Sequence, residues 1–204
     1  MIEIEQRYKV FDPQATIAAL ETQGVILQQE NRVIDCWFAP RTVQSQADQD
    51  VWFDKQHGVA YRIRKIALPG DTFDIALESK QHTTANNHNT FNEEVIMRGD
   101  EAAMQAWLAQ KDYYNWLTID KLRRRFASPH PELEVVMDTV AGVRGTLGID
   151  TVLEIEYQGE ATRDAALQAI ANFAGTLGFT PDMRFDKSLT VESMRVLARF
   201  STEA

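Results

Sequence analysis

The chain has 204 residues, 44% hydrophobic and 25% charged, with a formal net charge of −9; that acidic balance excludes a general nucleic-acid binder, which needs Lys and Arg in excess along a face, yet leaves room for a local basic pocket. The single cysteine, Cys36, excludes an intramolecular disulfide and fits a reducing compartment. No apolar run reaches the length of a membrane span and the opening MIEIEQRYKV lacks the character of a signal peptide, so the sequence reads as one cytoplasmic domain over residues 1–204, without a membrane partner.

Ile2 to Val10 alternates, with Ile2, Ile4, Tyr8 and Val10 on one side and Glu3, Glu5, Arg7 and Lys9 on the other, which predicts a strand. Asp12-Pro13 opens a helix that Gly24 ends, because Asp caps the first turn and Pro suits its first position. Val25–Phe38 reads as a second strand, and polar Ala39–Asp50 as a surface loop. The spacing then predicts strands over Val51–Phe53, Val59–Leu68, Thr72–Lys80 and Thr90–Met97, with a turn at Pro69-Gly70-Asp71. Asp100 caps a helix running to Gln110. Thr118–Phe126, Leu133–Val140 and Thr151–Tyr157 are three more strands. Thr162–Leu177 is a helix stopped by Gly178, and Ser188–Phe200 a last one. Many antiparallel strands interrupted by a few helices make an α+β domain.

The strand charges fall at matched parity: Glu3, Glu5 and Arg7; Arg62 and Arg64; Asp74, Glu78 and Lys80; Lys121, Arg123 and Arg125; Glu134 and Asp138; Glu154 and Glu156. Two architectures explain this. Charged faces can look at water, the default for a half-buried sheet. Alternatively, the strands can close into a barrel with helices outside and a charged lumen. R-x-R on a strand sets two guanidinium forks on one face, roughly 7 Å apart, a spacing that suits neighbouring phosphate groups. E-x-E sets two carboxylates at the same interval, which repel unless a cation lies near, and hard oxygen donors suit Mg2+ or Mn2+.

These motifs resemble those of the CYTH domain, or triphosphate tunnel metalloenzyme, family. The family's E-x-E-x-K is similar to Glu3-Ile4-Glu5-Gln6-Arg7, with Arg where Lys is usual. Its R-x-R resembles Arg62-Ile63-Arg64, and its following lysine Lys80. A glutamate of the next strand matches Glu94, with Glu93 as the alternative. Lys121-Leu122-Arg123-Arg124-Arg125-Phe126, Met137-Asp138-Thr139-Val140, Glu154-Ile155-Glu156 and the late Lys187 complete the series. The motifs keep their order from residue 3 to about residue 187, so the resemblance spans nearly the whole chain.

The resemblance implies a closed antiparallel β-barrel of about eight strands, forming a charged tunnel with helices packed outside. It implies a triphosphate-bearing small molecule as ligand and Mg2+ or Mn2+ as cofactor. Glu3, Glu5, Glu94, Asp138, Glu154 and Glu156 would serve the metal. Arg62, Arg64, Lys80, Lys121, Arg123, Arg125 and Lys187 would grip phosphate, and Glu3, Glu5, Arg7 and Lys80 would lie at the chemistry. Arg7 stays protonated, so it cannot act as a base. The expected activity is hydrolysis of inorganic, nucleoside or thiamine triphosphate. A class IV adenylyl cyclase and a triphosphate- or polyphosphate-binding module without turnover are the alternatives. Monomer and homodimer both fit, and no nucleic-acid partner is expected. His57, His82, His88 and His130 lack metal-ligand spacing, Cys36 reads as a spectator, and Trp37, Trp52, Trp107 and Trp116 read as packing residues. Trp37 or Trp52 could also meet an organic moiety.

Overall fold

The computed structural model describes residues 4–82, 91–185 and 189–198. In chain order these form β1 (Ile4–Val10), α1 (Pro13–Thr22), β2 (Ile26–Pro40), α2 (Gln46–Asp50), a π-helical turn (Val51–Lys55), β3 (Ala60–Leu68), β4 (Thr72–His82) and β5 (Phe91–Arg98). Then come α3 (Glu101–Gln110), β6 (Tyr113–Ala127), β7 (Leu133–Val140), α4 (Arg144–Leu147), β8 (Thr151–Tyr157), α5 (Arg163–Thr176), a 3-10 turn (Pro181–Met183) and α6 (Leu189–Leu197). The eight strands form one sheet in the order β1-β8-β7-β6-β2-β3-β4-β5. The fold is therefore α+β, as the strand pattern predicts.

A barrel closed by hydrogen bonds would need β1 to pair with β5. The strand order ends on those two strands instead, and the described residues contain no such ladder. The outer edge of β1 is taken by another segment: Phe185 N donates to Arg7 O at 2.8 Å, and Tyr8 bridges Arg184. That occupies edge groups of β1 which a closing strand would have to pair.

By packing the chain divides into two compact units. Among the described residues, one comprises Arg32–Asp120 and the segment from Ser193; the other comprises the residues up to Asn31 and Lys121–Glu192. Strands β2 and β6 run through both. In the second unit the alternation of β1, β6, β7 and β8 sends Tyr8, Val10, Phe126, Val135, Met137, Leu153 and Ile155 to one face, where Leu20 of α1 and Ile170, Phe173 and Ala174 of α5 cover them. Each such side chain contributes about 1.5–3 kcal/mol by leaving water. In the first unit Phe38, Ile63 and Leu77 face Met104 and Leu108 of α3. Helices thus cover the apolar face in each unit, and the charges lie on the opposite one.

The helix starts follow their caps. Asp12 Oδ1 accepts from Gln14 N and Ala15 N at 3.0 and 3.1 Å, and Asp100 Oδ1 from Ala102 N at 2.9 Å. The predicted strand over Val51–Phe53 is not formed. Ser45 and Asp48 exchange capping bonds at 2.8 and 3.1 Å, start α2 inside the expected polar loop, and the helical path continues through Lys55. Trp52 then stacks on Tyr113 at 6.3 Å, and the chain folds back over it at Gly58, where a Cβ would lie 2.3 Å from the indole. Tyr113 also opens β6, which begins five residues before the predicted Thr118. Among the described residues no helix is long and apolar enough to cross a membrane.

Candidate functional site

Register explains how the charges of the second unit meet. Arg7 lies opposite Glu154, Glu5 opposite Glu156, and Glu156 opposite Glu134; Arg123 lies opposite Asp138. All of them share the face away from α1 and α5. Arg7 donates from Nε to Glu154 Oε1 at 2.7 Å, and its Nη2 pairs with Glu5. Arg123 holds Asp138 with both arms of its fork, at 2.8 and 2.6 Å, and reaches Glu154 at 3.5 Å. Lys121 Nζ donates to Asp138 at 2.7 Å. The result is an alternating chain, Glu5–Arg7–Glu154–Arg123–Asp138–Lys121, in which no side chain is more than 21% exposed.

Electrostatics follow from that arrangement. Burial pushes Asp138 up, but Lys121 and then Arg123 outweigh it and hold the carboxyl well below its ordinary range. Burial likewise raises Glu154, while Arg7, followed by Arg123 and Lys121, brings it below the usual value against repulsion from Asp138. Both carboxylates are ionised because the cations beside them are.

The first unit carries its own network. Arg62 Nε donates to Glu78 Oε2 at 2.9 Å and lies 3.7 Å from Glu93 and 3.8 Å from Asp35. Arg64 holds Asp35 with both arms, at 2.8 and 3.0 Å, and Lys80 pairs with Glu93. Burial lowers the Arg62 pKa, but Asp35, Glu78 and Glu93 outweigh it, and the net shift is upward. Burial raises Glu93, while Lys80 and Arg62 bring it down to about 2.

Of the predicted site residues, the structure gathers Glu5, Arg7, Lys121, Arg123, Asp138 and Glu154 in one network, and Arg62, Arg64 and Lys80 in the other. Glu156 lies on the same face of β8, across from Glu5. Glu3 and Lys187 lie outside the described residues, as does His88. Two placements differ from expectation. Glu94 pairs in register with Ser79, on the opposite face of β5, and is exposed; Glu93, opposite Lys80, takes the place in the network. Arg125 keeps the right parity but is half exposed near the end of its strand, 3.7 Å from the rim carboxylate Glu134.

Asp35 is a site residue the motifs did not single out. It is 1% exposed and holds both Arg62 and Arg64. Its signal was a lone carboxylate inside the apolar run Val33-Ile34-Asp35-Cys36-Trp37-Phe38, since a buried acid demands a cation. Trp37, read as packing, instead stands opposite Arg62 on the charged face, its ring 5.0 Å from the guanidinium carbon. Cys36 faces the apolar side, and burial raises its thiol, which fits the spectator reading.

Carboxylate oxygens are the donors a hard divalent cation takes. Glu5, Glu154, Glu156 and Asp138 present them on one face, and like charges directly opposite, as at Glu5 and Glu156, call for a cation nearby. The donor set therefore fits such an ion in chemistry. Among the described residues, no three His, Cys, Asp or Glu side chains converge as a metal centre.

No family model matches the chain, and no curated protein matches it. Solved structures do share its fold. A protein from Pyrococcus horikoshii OT3 is 16% identical over 93% of this chain and 98% of its own, with a TM-score of 0.69. A candidate adenylate cyclase from Vibrio parahaemolyticus is 14% identical over 95% of this chain and 98% of its own, also at 0.69. A candidate adenylyl cyclase from Hippeastrum, with a dominant triphosphatase activity, is 12% identical over 100% of this chain and 91% of its own, at 0.57. At such identities the likeness is one of fold, and it is consistent with the fold that the motifs imply.

Proposed function

We propose that the chain binds small molecules bearing a triphosphate and hydrolyses them with the aid of Mg2+ or Mn2+. The observation that carries this reading is the alternating chain of six ionised groups on the face of the second unit away from α1 and α5. Burying paired charges is seldom a gain in stability over apolar packing, so a network this extensive suits a site that exchanges its carboxylate partners for a polyanion.

The guanidinium and ammonium groups of Lys121 and Arg123, and of Arg62, Arg64 and Lys80, would hold phosphate oxygens in paired, charge-assisted bonds. Glu5, Glu154, Glu156 and Asp138 would hold the divalent cation. When bound, that ion supplies charge neutralisation at the phosphate oxygens and lowers the pKa of a coordinated water. Hydrolysis forms a bond from water oxygen to the terminal phosphorus and breaks the phosphoanhydride bond. The leaving diphosphate gathers negative charge, which the arginines and lysines are placed to offset. Arg7 stays a cation throughout, so a carboxylate takes the proton that water loses.

Inorganic triphosphate, ATP and thiamine triphosphate, each with Mg2+ or Mn2+, provide the test when products are resolved. Phosphate released by wild type and lost in Glu5→Ala and Lys121→Ala is the expected result. Cyclic AMP with pyrophosphate from ATP would replace hydrolysis by cyclisation, a reading that the fold shared with candidate cyclases favours. Metal-dependent binding of every substrate without product would make the chain a binding module.

A further inference from the structure

Arg7 joins two carboxylates on neighbouring strands. Glu5 and Arg7 stand two residues apart on one face of β1, and Glu154 lies directly across on β8. A single guanidinium therefore reaches both, with Nε on Glu154 at 2.7 Å and Nη2 on Glu5. The Arg7 side chain is 4% exposed and Glu5 7% exposed, so water screens the contact little. Guanidinium does not lose its proton at accessible pH, and its planar fork matches carboxylate geometry. Glu5 and Glu154 thus share a counter-cation tethered to the chain itself, lodged where a divalent ion would find its donors.

We infer that Arg7 is a built-in competitor of divalent cations at Glu5 and Glu154, so that the protein alone binds such ions weakly there. Any ion using these oxygens must displace the fork or sit against its positive charge. A lysine at the same position presents one compact ammonium, which cannot span the two carboxylates with two fixed arms. This rests on the reading that the acidic face serves a metal, but concerns affinity rather than turnover.

Titration of Mn2+ into phosphate-free protein, with free Mn2+ read by electron paramagnetic resonance, tests it in wild type, Arg7→Met and Arg7→Lys. Arg7→Met should bind about 10–100-fold more tightly than wild type, the range in which neighbours of ligating groups tune metal affinity. Adding Glu5→Gln to Arg7→Met should return binding to the wild-type level. Mn2+ should also raise the melting temperature of Arg7→Met more than that of wild type. If Arg7→Met does not fold, Arg7→Lys decides: tighter binding than wild type supports the inference, and equal binding overturns it. Equal affinity in wild type and Arg7→Met, at any strength, also overturns it. Phosphate release by wild type judges the proposed activity separately, and an unchanged Mn2+ affinity sinks this inference even where that activity is found.

Discussion

The two charged faces are built alike and differ in how their hubs are held. Each gathers three cations and three carboxylates: Arg7, Arg123 and Lys121 with Glu5, Glu154 and Asp138 in one unit, and Arg62, Arg64 and Lys80 with Asp35, Glu78 and Glu93 in the other. In the second unit, Asp138 takes the ammonium of Lys121 and both arms of Arg123. In the first, Asp35 shares Arg62 with Glu78 and Glu93, and the outer member Glu93 is 33% exposed. A network with one hub is brittle, and a network with shared partners tolerates loss. Removing Asp138 should therefore disturb its face more than removing Asp35 disturbs the other.

The sharpest way to break this contrast is Asp138→Ala. It removes the carboxylate that Lys121 and both arms of Arg123 hold in a buried site and should cost about 3–5 kcal/mol, read by denaturant unfolding. Asp35→Ala should cost less, about 2–3 kcal/mol, because Glu78 lies 4.0 Å from Arg64 and, with Glu93, still holds Arg62. Equal losses would mean that the shared partners contribute nothing.

Acid should act on both faces in the same direction. The folded pKa of Glu93 lies at about 2, below its ordinary 4.5, so its stabilising contribution is fully present above the ordinary value and is lost as pH falls through about 2. Asp138 and Glu154 are also lowered, and they add to the same loss. The melting temperature should therefore fall steadily below pH 4.5, and Glu93→Gln should flatten part of that slope. A slope unchanged in Glu93→Gln would remove Glu93 from the network.

The smallest effect separates two neighbours. Glu94→Gln should change stability by no more than about 0.5 kcal/mol, as exposed substitutions do, and should leave phosphate release unaltered. Glu93→Gln should tighten triphosphate binding measurably, because it removes a carboxylate charge that competes with phosphate for Lys80 and Arg62. A larger effect at Glu94 than at Glu93 would place the functional face on the other side of β5.

Much of the site was legible because strands have a period of two. Arg62 and Arg64, Lys121 and Arg123, and Glu5 and Arg7 declare a shared face by spacing alone, and caps such as Asp12 and Asp100 declare their helices. The same rule cannot choose between adjacent residues on a strand with a bulge. The β4–β5 register shifts between Leu77 and Glu78, which leaves Glu93 rather than Glu94 across from Lys80. Nor could local propensity recognise Val51–Phe53 as helical, because Trp52 takes its place from packing on Tyr113, sixty-one residues away.

By itself, then, the sequence determined the strand faces, most helix ends and the kinds of charge each strand carries, since these depend on backbone geometry within a few residues. The tertiary structure decided which charge meets which. That Arg7 bridges Glu5 and Glu154, that Asp35 anchors both arginines of β3, and that the edge of β1 meets Arg184 and Phe185 all depend on inter-strand register and on the return of distant segments. Register arises from packing the apolar faces beneath the helices, a free energy summed over the whole core rather than written in any one motif.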